Sequence, residues 1–271
     1  MYRYGLIDAQ YILRRNAAVM KNNGFTESEL RRSFLQSIKK MQREIGFMTP
    51  VLLFDKSPYK KSAAFPAYKS DRIYYTDQYL EEHKDELSEH EIEVIKSEID
   101  FNTKVQKVKY GLVNDPGDGI SYLKSGYEAD DLAYILANKI ANDSESINLV
   151  LKSILISVDN DWNTFTNKRV DFITPRMDLR LDVRNRWTEL SKQLDIPIYE
   201  LGLCNELFNH SHNNIDTYKG TTTPEGNVVT FKDFSTSMYL SEDNIPRYEE
   251  YKKYFDAMNM NQYMDDIKLK L

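Results

Sequence analysis

An α/β fold with a mostly parallel central sheet flanked by helices is what this 271-residue chain predicts. Two observations carry that prediction. The apolar runs Tyr4-Gly5-Leu6-Ile7, Val51-Leu52-Leu53-Phe54 and Ile154-Leu155-Ile156-Ser157-Val158 alternate with tracts whose apolar residues recur at helical spacing. Each run also closes on an acid, Asp8, Asp55 or Asp159, and in an open α/β sheet ligands bind outside the carboxyl ends of the strands.

Taken in order, the first strand ends at Asp8 and leads to a helical tract with Leu30, Phe34, Leu35, Ile38, Met41 and Ile45 on its apolar face. Thr49-Pro50 stops that tract and opens the second strand, which makes a strand–helix–strand unit of the kind that builds parallel sheets. Residues 75–110 read as a long charged helix broken near Leu87-Ser88, where Ser88 followed by Glu91 forms a capping-box signal. A turn cluster from Asn114 to Gly119 precedes a short strand, Ile120 to Leu123, and a helix from about Ala129 to Ala141. The fourth strand ends in Asp159, and Lys168 to Thr174 reads as a fifth. Two helices are expected over 182–194 and 197–209, an edge strand over Val228 to Phe231 and a final helix from Tyr248 onward.

Composition narrows the class. With 41% hydrophobic and 29% charged residues the chain can bury a sizeable core. No apolar stretch approaches the roughly 20 residues needed to span a bilayer, so a cytoplasmic protein without membrane association is expected. The single cysteine, Cys204, excludes an intramolecular disulfide and a cysteine zinc cage. Ten glycines without a glycine-rich phosphate loop or dinucleotide fingerprint give nucleotide-dependent transfer no support. The formal charge of −6 hides a patchwork, because acids concentrate over 77–100 while Lys56, Lys60, Lys61, Lys69 and Arg72 follow the second strand. Local basic rims bind phosphate backbones despite a negative total.

Seven carboxylates at four places are the candidate chemistry: Asp8, Asp55, Glu128 with Asp130 and Asp131, and Asp159 with Asp161. Glu128 and Asp131 share a helix face, whereas Asp130 points away unless it lies in an irregular first turn. Each group alone has a plainer explanation, since acids stabilise helix N-termini and strand-terminal aspartates cap turns. Four such groups in one α/β order favour a shared site. Packed carboxylates repel, and hard divalent cations relieve that repulsion while polarising a phosphodiester and activating water.

Leu6-Ile7-Asp8, Leu53-Phe54-Asp55, Gly126-Tyr127-Glu128-Ala129-Asp130-Asp131-Leu132 and Ile156-Ser157-Val158-Asp159-Asn160-Asp161-Trp162 resemble, in order and spacing, the motifs of metal-dependent 5′-nucleases. That family comprises the bacteriophage-type 5′→3′ exonucleases and flap endonucleases, including phage RNase H. Phe65-Pro66-Ala67-Tyr68-Lys69-Ser70-Asp71-Arg72 is similar to its proline-tyrosine-lysine-x-x-arginine segment. The resemblance covers about residues 4–215. It implies a PIN-like nuclease domain over 1–175, a helical arch inserted at about 75–112, and a diverged helical C-terminal region over 176–271. It further implies that Asp8, Asp55, Glu128, Asp130 and Asp159 surround a first Mg²⁺ or Mn²⁺, that Asp131 and Asp161 lie toward a second, and that Lys69 and Arg72 contact the scissile phosphate. The implied substrate is DNA with a 5′ flap or an RNA–DNA hybrid. A single-strand-binding or polymerase-associated replication protein is the further partner expected, with action in a host cytoplasm.

Two departures stand out. His210 and Asn213, in Asn209-His210-Ser211-His212-Asn213, occupy positions where the family carries aspartates, so a weakened second metal site is expected. The glycine-rich hairpin that grips duplex DNA is replaced by Asp216 to Thr223. Two functions therefore compete: a working 5′-nuclease that removes primers or flaps, and a catalytically weakened nucleic-acid-binding replication accessory of the same fold. The intact first cluster favours the nuclease. A compact single-stranded-RNA nuclease without an arch is disfavoured by the long helical insertion.

Overall fold

The computed structural model describes residues 1–64, 73–147, 151–175 and 260–268, together with Thr188 and Lys192. The chain opens on β1 (Tyr2–Asp8), and α1 (Ala9–Met20) begins with no intervening loop because Asp8 is itself the N-cap, accepting from the Tyr11 amide at 2.9 Å. The helical tract expected after the first strand is thus two helices, α1 and α2 (Glu27–Met41), the latter opened by a reciprocal Thr26/Glu29 capping box. A single wide turn, Gln42–Gly46, leads into β2 (Phe47–Leu53). This strand starts three residues before Pro50. The proline is tolerated within it because the ladder to the next strand begins only at Val51, so Pro50 sits where β2 has a partner on one side alone.

After α3 (Tyr59–Ala64), the charged tract forms α4 (Asp77–His83) and α5 (Glu89–Asn114). The break falls where the capping-box signal lies: Glu91 N donates to Ser88 Oγ at 3.3 Å and Ser88 N to a Glu91 carboxylate oxygen at 2.8 Å. Hydrogen bonds from Ser88 hold the Glu91 carboxyl below the usual carboxylate range. Glu81, Glu82, Glu86, Glu89, Glu91 and Glu93 are all exposed, which matches a solvated acidic face. The second half of α5 behaves differently. Phe101, Val105, Val108 and Leu112 are buried against α1 and α2.

β3 (Ile120–Tyr122), α6 (Ala129–Ile147), β4 (Ser153–Ile156), a 3₁₀ segment (Asn160–Phe165) and β5 (Val170–Ile173) follow, and a last 3₁₀ segment spans Met260–Asp266. The five strands are all parallel, in the order β3-β2-β1-β4-β5. Such a sheet must be covered on both faces. Ile7, Leu52, Phe54, Ile154 and Ile156 point into a core with α1, α2 and α5, while Leu6, Val51, Leu53 and Leu155 point to α6. Gly5 has no alternative residue here, since a Cβ would lie 2.8 Å from the Phe47 ring. Because β2 and β3 lie to one side of β1 and β4 and β5 to the other, the order reverses beside β1. That puts a topological switch point at the carboxyl ends of β1 and β4.

Candidate metal and nucleic-acid site

Asp8 ends β1 and Ser157 follows β4 directly, so parallel pairing of Ile7 with Ile156 brings them together although 149 residues separate them. Ser157 Oγ donates to Asp8 Oδ2 at 3.1 Å and accepts from the Asp159 amide at 3.1 Å, which ties both acids to one hydroxyl. Across β1, Asp8 pairs in register with Leu53, two residues before Asp55. Burial first, then the charge of Asp55 and to a lesser degree that of Asp159, push the Asp8 carboxyl up to about 7, against the opposing bonds from Tyr11 and Ser157.

The N-terminus of α6 faces the same place. Asp55 Oδ1 accepts from the Ala129 amide at 2.8 Å, so a strand-end acid caps a helix that starts 74 residues later. Asp131 Oδ2 accepts from the Glu128 amide at 2.8 Å, and Asp130 Oδ1 accepts from the Trp162 indole at 2.7 Å. Glu128 and Asp131 are buried. The helix dipole at this end also favours negative charge. Asp8, Asp55, Asp159 and the Glu128–Asp131 turn therefore adjoin one edge of the sheet.

The donor set is carboxylate oxygen, which suits Mg²⁺ or Mn²⁺, and a carboxyl raised first by desolvation and then by two neighbouring acids is an environment a divalent cation would neutralise. Among the described residues, however, no three histidine, cysteine, aspartate or glutamate side chains form a metal-holding group. Asp55, Asp130 and Asp131 are turned onto the amide and indole donors just named. The residues fit a cation by charge and by kind.

The sequence reading missed a lysine. Lys109, on α5, is buried, and its Nζ donates to the Asp55 carbonyl oxygen at 3.0 Å. Burial pulls its ammonium below the usual lysine range; the Asp55 charge opposes this, while those of Arg14 and Lys56 add to it. Arg14, Lys56 and Lys109 thus form a basic rim beside the acids, and among the described residues none of them makes an ion pair with a carboxylate. Lys56 Nζ also lies 5.2 Å from the centre of the half-exposed Tyr110 ring. A lysine inside a hydrophobic helix face carries no periodic signal, because Lys109 reads as one more charge in an already charged tract. Lys109→Met is expected to lower turnover roughly tenfold to a hundredfold with a denaturation midpoint near that of the native protein, since the lost hydrogen bond is offset by the relieved burial of charge. Unchanged kcat in that variant would remove Lys109 from the site.

Lys69, Arg72, His210 and Asn213 lie outside the described residues, and of Asp161 only the backbone, in the 3₁₀ segment, is described. No helix of the described residues is long and apolar enough to cross a membrane.

The architecture is that of an open, doubly wound α/β protein with acids at its switch point. No protein-family profile and no curated protein matches the sequence. Solved structures do. The T5 D15 protein co-crystallised with metal ions aligns with a TM-score of 0.58 at 14% identity, over 97% of this chain and 92% of that one. The bacteriophage T5 flap endonuclease in a pseudo-enzyme–product complex with DNA and metal ions gives a TM-score of 0.56 at 15% identity, over 97% and 91%. T5 5′-exonuclease with bound zinc gives 0.53 at 15% identity, over 97% and 91%. At this identity the likeness shows a shared fold and nothing finer.

Proposed function

We propose that the chain is a metal-dependent 5′-nuclease hydrolysing phosphodiester bonds of DNA flaps or of RNA primers in RNA–DNA hybrids during replication, acting in the cytoplasm of a phage host. The observation that carries this reading is the gathering of Asp8, Asp55, Asp159 and the acidic turn of α6 at the switch point of the sheet, with the half-buried Asp8 carboxyl beside the like charges of Asp55 and Asp159. The shared fold with a T5 nuclease solved with DNA and metal ions supports it.

In this reading Asp8, Asp55, Glu128, Asp130 and Asp159 hold a first Mg²⁺ or Mn²⁺, and Asp131 and Asp161 a second. Bound cations would supply Lewis-acid polarisation of the phosphate and an activated water. The chain's own part is to orient and to bind. Ser157 holds Asp8 and Asp159 in mutual register, the Ala129 amide fixes Asp55, and the basic rim of Arg14, Lys56 and Lys109 attracts the phosphate backbone. Lys69 and Arg72, by resemblance to the family's proline-tyrosine-lysine-x-x-arginine segment, would contact the scissile phosphate. Lys69→Ala is expected to lower kcat at least about tenfold while KM stays within about twofold, because the charge acts on the transition state. A change in KM alone would make Lys69 an ordinary phosphate contact.

The test of the reading as a whole is cleavage of 5′-end-labelled flap and RNA–DNA hybrid substrates with Mg²⁺, Mn²⁺ or EDTA. Metal-dependent release of 5′ products supports it, and binding without cleavage in either metal overturns it. The second outcome supports the other reading, a nucleic-acid-binding replication accessory of the same fold, which His210 and Asn213 favour by standing where aspartates are expected. Those two residues also predict a weak second cation with biphasic metal dependence, better served by Mn²⁺ than by Mg²⁺ if His210 ligates it. A titration with one tight phase and full Mg²⁺ activity would count against the weakened second site.

A further inference from the structure

The loops that carry Asp55 and Glu128 are zipped together by backbone. Phe54 N donates to Tyr122 O at 3.1 Å, Lys56 N to Tyr127 O at 3.0 Å and Gly126 N to Ser57 O at 3.0 Å. Gly126 makes this approach possible: its φ is +90°, and a Cβ would lie 2.8 Å from the Tyr59 ring and 3.1 Å from Lys60 Cγ. Three hydrogen bonds between short loops at the edge of a sheet are a weak junction by themselves, since such loops open locally at low cost.

A segment from the far end of the chain crosses this junction. Asp266, in the 3₁₀ segment Met260–Asp266, takes Lys60 Nζ of α3, just beyond the first loop, at 2.6 Å, and the Tyr127 hydroxyl of the second loop donates to the same carboxylate oxygen. Lys124 Nζ, also of the second loop, donates to the Asp266 carbonyl at 2.7 Å, and Lys60 Nζ bonds the Tyr127 hydroxyl at 2.7 Å. The clasp is seated apolarly as well. Tyr263 stands edge-on to Tyr127 at 6.0 Å, its ring centre is 3.7 Å from Lys60 Nζ, and Ile267 is 3% exposed in the core that α6 forms. One exposed ion pair would contribute little, but a carboxylate shared by Lys60, at the start of the helix that follows the first loop, and Tyr127, on the second loop, couples the two.

We infer that Asp266 is a positioning residue of the candidate site, a C-terminal clasp that holds the Asp55 loop and the Glu128 turn in the register that lets their carboxylates serve one cation. Its consequence for metal binding rests on the nuclease reading, whereas its consequence for the two loops does not. Among the described residues Asp266 makes no hydrogen bond to any of the acids. It acts through Lys60 on the Asp55 side and through Tyr127 on the Glu128 side, and so links the Met260–Asp266 segment to a site whose acids lie between Asp8 and Asp161.

The test uses the full chain with Asp266→Asn and Asp266→Glu, read by amide hydrogen exchange and by Mn²⁺ titration followed by calorimetry. In Asp266→Asn, exchange at the Lys56, Gly126 and Ala129 amides is expected to rise roughly tenfold, while the Leu6 and Leu155 amides in the sheet stay protected, and Mn²⁺ affinity is expected to fall roughly threefold to tenfold. Asp266→Glu, which keeps the charge, should restore most of both. Unchanged exchange at the three loop amides in Asp266→Asn overturns the clasp, and so does loss of protection throughout the sheet, which would make Asp266 a general stabiliser. If the native protein binds no Mn²⁺ yet the loop amides respond, the clasp stands and the nuclease reading falls.

Discussion

Asp8→Asn is expected to abolish metal-dependent cleavage, a loss of about a thousandfold or more, and at the same time to make the metal-free protein more stable at neutral pH. The two effects have one cause. The Asp8 carboxyl titrates at about 7 in the folded protein against 3.8 for an unperturbed aspartate, so between those values the folded chain holds a proton that the unfolded chain has released. Stability at this site is therefore undiminished below about pH 4 and declines as pH rises toward 7. Above that, the folded state carries the full cost of ionising a half-buried carboxylate beside Asp55 and Asp159, at most about 4 kcal/mol and less after solvent screening. Asparagine keeps the hydrogen-bonding shape without the charge. Urea denaturation in EDTA should show the native protein losing stability from pH 5 to pH 8 and Asp8→Asn losing much less, with the two alike near pH 4. Adding Mn²⁺ at pH 8 should reverse the order. Parallel pH profiles for the two proteins would mean that Asp8 is not held among like charges, and undiminished cleavage would remove it from the chemistry.

Trp162 carries the largest expected effect on stability. It is fully buried, its ring lies 6.3 Å from that of Phe165, and its indole N–H reaches Asp130 at 2.7 Å. Trp162→Ala empties a large volume in the core beneath α6 and is expected to cost about 3–5 kcal/mol, enough to leave much of the protein unfolded at physiological temperature. Trp162→Phe separates the two roles. It refills most of the space and removes only the donor to Asp130, so it should cost about 1–3 kcal/mol while lowering activity by more than the folded fraction explains. Denaturation midpoints and single-turnover rates check both. A native-like midpoint for the alanine variant would contradict the packing, and full activity in the phenylalanine variant would show that the indole does not set Asp130.

The junction of strand and helix is where reading and structure diverge most. Asp8 had a simple sequence reading as the acid that closes a strand, and it does so, but it is also the N-cap of α1, a helix that the apolar periodicity did not separate from α2. Asp130 was expected to be rotated away from Glu128 and Asp131 unless the first turn of α6 were irregular. Its carboxylate accepts from an indole that enters from the segment after β4, a partner that helix spacing does not name. The capping box at Ser88 and Glu91 was legible because both partners lie within one turn, and it falls where the charged tract breaks into α4 and α5.

Local chemistry is what the sequence by itself determined: apolar runs closed by acids, helical spacing, caps and turns, and hence an α/β fold with carboxylates at its strand ends. These are written in residues a few positions apart, where backbone geometry links side chains directly. Only the tertiary structure decided which ends meet. The order β3-β2-β1-β4-β5 sets Asp8 beside Ser157, α5 carries Lys109 to the Asp55 carbonyl, and a segment 206 residues beyond Lys60 brings Asp266 to it. Those contacts follow from burying both faces of one sheet, a demand on the whole chain that no short window of sequence expresses.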